Sequence, residues 1–458
     1  MDTFDPRPDL ERDRTANKPT DDHTEADRET RPGDPNSSTH ARSTNERRPG
    51  SFGRRPFLYG VVGAGTLGFL SRPVAARPNE VVKLVGDTGG AGDAMGRSVE
   101  IQGTTLFVGA GNDDDNGPKA GATYVFNKSD SGWKRSQKLL ASDGNGDDGF
   151  GHDIAVSGNT AMIGAVFDDQ RGFNAGATYV FERDSDAGTW TEREKVIPDS
   201  LNSNDFFGIS VDVEGTTALI TARSEEDLVP DGGSAYIYER QPGGWTQTAK
   251  LFPNDPAPWD WFGTYADLSG GTAVIGAPRK QNFTGAVYVF ERSADWAQTA
   301  KLLPDDPPEQ GDQFGWRTSI LGDLIAVGAR KDGVRETDAG AVYLFRKSDN
   351  CWIQEARLFG DDTAAGDEFG SSISLNGRRL LVGAPRADGN STNSGKAYLF
   401  GKRGNQWVQL REFMAFDGAT GDRFGDSVVL HGNIAAIGTP FDDNSNGTRA
   451  GAAYVFRV

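Results

Sequence analysis

The sequence predicts an all-β fold, a seven-bladed β-propeller of four-stranded antiparallel blades, and three observations point to it. A Phe-Gly pair or close variant returns seven times, at Met95-Gly96, Phe150-Gly151, Phe207-Gly208, Phe262-Gly263, Phe314-Gly315, Phe369-Gly370 and Phe424-Gly425, with steps of 55, 57, 55, 52, 55 and 55 residues. Self-similarity at a period of a few tens of residues marks solenoids and propellers, because one small sheet cannot bury its apolar face alone. Each unit also repeats one order of short β-branched and aromatic runs bounded by Gly, Asn and Asp, which read as strands. Composition agrees: 36% hydrophobic residues and 60 Gly in 458 supply many turns and little helix.

In chain order, residues 1–53 come first, polar, rich in Asp, Arg, Thr and Pro, and without hydrophobic periodicity, the composition of a disordered segment. Residues 54–77 look like a twin-arginine-type export signal: Arg54-Arg55-Pro56-Phe57-Leu58, a weakly apolar run from Tyr59 to Leu70, then Pro73-Val74-Ala75-Ala76. An apolar stretch of about 13 residues falls short of the roughly 20 that span a bilayer as a helix, so it reads as a signal before an anchor. More than 50 residues precede the arginine pair, so either the segment before it is unusually long or the start codon lies downstream of Met1.

Residues 78–458 hold the repeats, and the fourth unit shows the plan most clearly. After Phe262-Gly263 come TAVIGAP from Thr272 to Pro278, GAVYVF from Gly285 to Phe290, and WAQTAKL from Trp296 to Leu302. Links such as Ser157-Gly158-Asn159-Thr160 read as hairpin turns. The chain ends predict closure: Val82-Lys83-Leu84 has no unit in front of it, and the chain stops after Phe456 without its own outer strand. Residues 80–85 are therefore expected to supply the outer strand of the last blade and cover its edge.

The Phe-Gly pairs, together with Gly276-Ala277-Pro278 and Gly383-Ala384-Pro385 intact and Gly109-Ala110, Gly164-Ala165 and Gly328-Ala329 in part, resemble FG-GAP repeats, the blades of integrin α-subunit propellers and of many secreted microbial proteins. The resemblance covers residues 80–458. It implies calcium motifs of the type D-x-D-x-D-G between the Phe-Gly strand and the Gly-Ala-Pro strand. That interval here holds only turns such as SGNT, EGTT, SGGT and LNGR, so the family's calcium sites do not carry over.

Charge bounds the function. Residues 1–77 carry 13 Lys or Arg against 12 Asp or Glu, whereas the remainder carries 35 against 54, so the repeat domain holds the acid excess. Such a surface repels nucleic acid, which requires a basic footprint. Only 14 of the 48 basic residues are Lys, a haloarchaeal-type composition that reads as adaptation to high salt. The lone Cys351 permits no intramolecular disulfide and reads as a small buried or half-buried hydrophobe ahead of Trp352.

With four alternating strands, the link from strand two to three and the link from one blade to the next emerge on the same face, and there the acids collect. Hard cations take six to eight oxygens, so Asp143, Asn145 and Asp147, with Asp113, Asp115, Asp442 and Asp443, are candidate ligands, and Ca²⁺ is the candidate cofactor. Asp, Asn and Gly are equally the ordinary residues of turns, and both readings stay open. Residues just after each Phe-Gly begin the innermost strand; Arg97, His152, Asp153, Tyr265, Trp316, Arg317 and Asp426 are expected at the channel mouth as ligand-binding candidates, because they vary where the scaffold residues do not. His152 and His431 lie in different units, and no Ser-His-Asp order, P-loop or zinc-type spacing appears. Five sequons, at Asn36, Asn127, Asn282, Asn390 and Asn446, fit a glycosylated exported protein.

The expectation is an exported, non-enzymatic binding or adhesion propeller that recognises a protein or glycan partner at the cell surface through its acidic loop face. A secreted hydrolase or lyase with its site at the channel mouth is the first alternative, and a structural module of a surface assembly the second.

Overall fold

The computed structural model describes residues 81–86, 88–306 and 309–458. The leader, with its expected disordered segment and twin-arginine-type signal, lies outside them. Among the described residues, twenty-eight strands form seven four-stranded sheets. In blade 2 the inner strand (Phe150–Ser157), second strand (Thr160–Ala165), third strand (Ala177–Arg183) and outer strand (Trp190–Val196) pair in sequence order, all antiparallel. Alternation of side chains across a pleated strand sends one set to each neighbouring blade, which is why the second strands are buried along almost their whole length.

The core lies between blades, each cluster joining side chains of two neighbouring sheets. Within it, Phe150 packs edge-on against Tyr179 of its own blade at 5.4 Å, and the same contact recurs as Phe207–Tyr236, Phe262–Tyr288, Phe314–Tyr343, Phe369–Tyr398 and Phe424–Tyr454. Such edge-to-face pairs add roughly 0.5–1.5 kcal/mol each beyond area burial. Two glycines at six of the seven seams, and one where Thr221 takes the second-strand position, let neighbouring backbones meet. A methyl on Gly164 would stand 2.1 Å from the Gly208 carbonyl oxygen of the next blade. Gly176 bridges to Phe207 in parallel fashion at φ +88°, where a side chain is both strained and obstructed.

Ring closure is as expected from the chain ends. Val81–Leu84 pairs antiparallel with Ala453–Phe456 of the last strand, in the register Val82↔Val455 and Lys83↔Tyr454, so blade 7 takes its outer strand from the start of the domain. One expectation is corrected: Cys351 is exposed, not buried. It opens an outer strand directly after the two-residue turn Asp349–Asn350, opposite Ser348, and an outer strand's first residue has no neighbouring blade to pack on.

Candidate binding face and central channel

The two faces of the ring are unequal. Inner and second strands are joined by two residues in every blade, as at Gly103–Thr104 and Gly158–Asn159. On the opposite face, long loops join second to third strands, for example residues 166–176 and 385–395, and long links join successive blades, for example 197–206. Side-chain variety therefore has room on one face only.

That face is built on a repeated device. Two residues before each Phe-Gly or Met-Gly stands a buried aspartate: Asp93, Asp148, Asp205, Asp260, Asp312, Asp367 and Asp422. Each accepts the backbone N–H three residues earlier, as Asn145 N–H to Asp148 at 2.6 Å and Ala257 N–H to Asp260 at 2.7 Å. The residue after it is left-handed in every blade, with φ from 55° at Trp261 to 68° at Gly149. Burial is the main cause that pushes these carboxyls up, to about 6 for Asp93, Asp148, Asp312 and Asp422 and about 7 for Asp205.

A second device uses the other acids. Tyr124, Tyr179, Tyr236, Tyr288, Tyr343, Tyr398 and Tyr454 occupy one third-strand position, and each donates its hydroxyl to a loop carboxylate. A cation closes each station. Lys195 of blade 2 holds Asp143 at 2.8 Å and Asp168 at 2.6 Å, and Lys138 holds Asp113 at 2.7 Å and Asp115 at 2.5 Å. In blade 7, Lys83 holds Asp417 and Asp442, each at 2.8 Å, so the closing strand brings its own lysine. Blade 6 inverts the polarity, with Glu412 on the outer strand and Lys396 on the third. Burial alone would raise Asp143 and Asp417, but hydrogen bonds from Lys and Tyr outweigh it and hold both below the usual carboxylate range.

These pairings bear on the candidate cation ligands. Asp143 is held by Lys195 and Tyr179, Asn145 donates its amide to the Asp143 carbonyl, and Asp147 is 79% exposed with Lys119 3.9 Å away. Asp113 and Asp442 are buried against ammonium groups, Asp115 shares Lys138, and Asp443 accepts the Arg449 N–H. Among the described residues no group of three or more His, Cys, Asp or Glu is placed to hold a metal ion. Ammonium groups and tyrosine hydroxyls already engage the carboxylate oxygens that a hard cation would need, and six to eight converging oxygens are not assembled at any of these positions, so this donor set does not fit Ca²⁺. Of the sequons, Asn390 and Asn446 have their amide nitrogens engaged by the carbonyls of Ala415 and Gly86.

The channel is a polar cavity of about 280 Å³ between the inner strands. These are edge strands whose channel-side N–H groups need acceptors, and side chains of the preceding blade supply them. Val211 N–H donates to Asp153, Leu268 N–H to Asp212, Ile320 N–H to Asp267, Leu375 N–H to Ser319 and Leu430 N–H to Ser374. Burial followed by Asp267 and Asp153 raises Glu100 to about 8; burial also raises Asp153, opposed by Arg317, and Asp212, reinforced by Asp267.

Of the expected mouth residues, Asp153 and Arg317 line this cavity. Tyr265, Trp316 and Arg317 come together: the Arg317 guanidinium lies 4.0 Å over Tyr265, whose ring is 6.2 Å from Trp316. His152 sits edge-on to Phe167 in blade 2, apart from that group. Arg97 and Asp426 hold equivalent positions in the adjoining blades 1 and 7. Sequence reasoning missed the arginines that begin the second loops. Arg223 and Arg279 sandwich Trp261 at 3.9 and 3.2 Å, and Arg330 lies 3.2 Å over Trp316. Their signal was the recurrence of Arg just after the Gly-Ala or equivalent strand.

A family model described as FG-GAP repeat matches residues 78–126, 133–181, 190–238, 245–290, 296–345, 352–400 and 407–456. Each match from the second on takes the outer strand of one blade and three strands of the next. No curated protein matches the chain.

Proposed function

Because the chain belongs to the FG-GAP repeat family, we propose that it is an exported binding or adhesion module that engages a protein or glycan at the cell surface through the face carrying the long loops. FG-GAP repeats are typical of extracellular proteins, and among the described residues no helix is long and apolar enough to cross a membrane. The observation that carries the proposal is the inequality of the faces: one backbone, fixed seven times by the buried aspartate and its left-handed successor, presents different side chains in each blade, while the other face is turns. A rigid scaffold with variable loops is how binding surfaces are commonly built. Many acids on this face are already held by a lysine within the blade, one cation to two carboxylates, so the face stays acidic while the held side chains are fixed in place. Its acid-rich composition supports work in high salt.

The test is co-sedimentation of the purified chain with envelopes of the cells that make it, in high salt, comparing the parent with variants on each face. Substitutions on the long-loop face should abolish sedimentation and those in the two-residue turns should not; the reverse pattern would refute the proposal.

A further inference from the structure

Blade 4 departs from the plan of the other six at its second loop, residues 278–285. The others run to 11 or 12 residues, as at 111–121, 330–340 and 440–451, and this one has eight. Lys280 stands third in it, where Asp113, Asp168, Glu225, Asp332 and Asp442 stand third in theirs, and it is buried with its ammonium on Asp260 at 2.7 Å. The Gly285 N–H still donates to the Lys280 carbonyl, as the Gly176 N–H does to Asp168, so the four residues between them have to complete the turn. They do so in an uncommon way. In each of the other six second loops one non-glycine residue is left-handed, namely Lys119, Asn174, Asp231, Asp338, Asn393 and Arg449; here Gln281, Asn282 and Phe283 are left-handed in succession, with φ of 52°, 60° and 66°. L-residues visit that region singly, and Asn tolerates it better than Gln or Phe.

This strained turn coincides with a sequon. Asn282-Phe283-Thr284 has the Asn-x-Thr pattern that accepts an N-linked glycan. Gln281, Asn282 and Phe283 are exposed, and the Asn282 amide makes no hydrogen bond among the described residues. The Thr284 hydroxyl donates to the Gln281 carbonyl at 2.9 Å, within the same turn. The other sequons of the described residues are built into the fold. Asn127 lies in the third strand of blade 1, paired with Thr105 on one side and Lys134 on the other, and its side-chain carbonyl accepts the Thr105 hydroxyl at 3.0 Å. Asn390 donates its amide to the Ala415 carbonyl at 2.6 Å, and the next residue, Ser391, donates its hydroxyl to Gly418. The Asn446 amide holds the Gly86 carbonyl, and its N–H donates to the Asn444 side chain. Asn36 lies outside the described residues. A chain that folds before it meets a glycosyltransferase offers only an asparagine whose amide the fold leaves outside, and among these four that is Asn282.

We propose that Asn282 is the N-glycosylation site of the folded, exported chain, displayed by the short second loop of blade 4. The Asn282 amide nitrogen attacks the anomeric carbon of a lipid-linked oligosaccharide; the carbon–nitrogen bond forms, the bond from that carbon to the phosphate oxygen breaks, and the lipid phosphate leaves with the proton the amide gives up. This rests on the reading of the chain as exported, and it puts a glycan on the long-loop face. The experiment has two arms. In the first, the producing cells are fractionated, and the chain from envelope and medium is digested and mapped by mass spectrometry. The Asn282 peptide should carry a sugar mass and the Asn127, Asn390 and Asn446 peptides should not; N282Q and T284A should lose the modified peptide and T284S should keep it. An unmodified Asn282 peptide, or occupancy at any of the other three equal to that at Asn282, overturns the proposal. In the second arm the purified, folded chain is incubated with membranes that carry an oligosaccharyltransferase and with labelled lipid-linked oligosaccharide, and label should enter at Asn282. If the chain stays in the cytoplasmic fraction, this arm decides: label at Asn282 keeps the site and sinks the export reading, and no label sinks both.

Discussion

Gly164→Ala isolates the contact that sets blade spacing. Gly164 has an ordinary φ, so the substitution adds no backbone strain, and the added methyl would meet the Gly208 carbonyl oxygen at 2.1 Å where ordinary contact begins at 3.4 Å. Both partners are backbone in buried strands, so relief requires the two blades to separate by about an ångström. Overpacking of this kind costs about 1–3 kcal/mol, and Ala in a strand recovers roughly 0.5–1 kcal/mol relative to Gly. A clash of backbone against backbone belongs at the upper end of the overpacking range, so the expected net loss is about 2 kcal/mol, a fall in melting temperature of about 2–3 °C by calorimetry for a domain of this size. The control is Gly243→Ala, which has ordinary φ and nothing within 4 Å, and should be neutral or stabilising by up to about 1 kcal/mol. Blade 3 supplies a natural comparison: Thr221 occupies the glycine position there, beside Gly263 of the next blade, and the inner strand that follows, Ala266–Ser269, is only four residues long. Equal melting temperatures for G164A and the parent would refute the idea that glycine-to-glycine approach fixes the seams.

Stability should rise as pH falls from about 7.5 to 5. Asp93, Asp148, Asp312 and Asp422 are raised to about 6 and Asp205 to about 7, with Asp260 and Asp367 shifted in the same direction, so over this window the folded chain binds protons the unfolded chain has released. Below about 4 the trend should reverse as Asp143, Asp255 and Asp417, held low in the fold, are forced to protonate; a melting temperature that climbs steadily from pH 5 to 8 would contradict this, and Asp205→Asn should flatten the upper limb. Asp332→Ala strands the buried Tyr343 hydroxyl and the Arg357 guanidinium and should cost about 3 kcal/mol or more in urea denaturation. Asp147→Ala, 79% exposed, should stay within about 0.5 kcal/mol. Deleting residues 81–85 removes the outer strand of blade 7 together with Lys83, and a truncated chain that melts with the parent would show that the ring does not need this strand. Because ammonium groups occupy the acid stations, excess chelator should move the melting temperature by less than about 1 °C.

Blade number, strand order and ring closure were legible because each is written as a period or as a missing strand. The pairing of acids was harder to read, since Asp143 and Lys195 are brought together only when a link packs across the outer strand of the following blade. Yet part of the signal was in plain view. An aspartate stands two residues before all seven Phe-Gly or Met-Gly pairs, and a polar residue at a fixed offset within a structural repeat marks a structural station. The mouth candidates were chosen by position after Phe-Gly, which located Tyr265, Trp316 and Arg317 together but overlooked the arginines of the second loops, whose partners come from the neighbouring link.

The same reasoning separates what is scaffold from what is free to specify function. A left-handed residue follows the buried aspartate in every blade, and Gly149 fills that place in blade 2 without conformational strain. Ala94, Phe206, Trp261, Gln313, Glu368 and Arg423 fill it elsewhere with φ between 55° and 58°, at a cost that the backbone does not require. In blades 3 to 6 this side chain meets an arginine at or near the start of a second loop: Phe206 lies 5.4 Å from Arg223, Trp261 stacks with Arg223 and Arg279, Gln313 accepts from Arg330, and Glu368 pairs with Arg386 at 3.3 Å. Spending conformational energy to position guanidinium groups along blades 3 to 6 is not explained by ring stability, which blade 2 achieves with glycine. It is explained if the second loops have to be held against the links by stacked and paired guanidinium groups, which fixes the shape of the long-loop face.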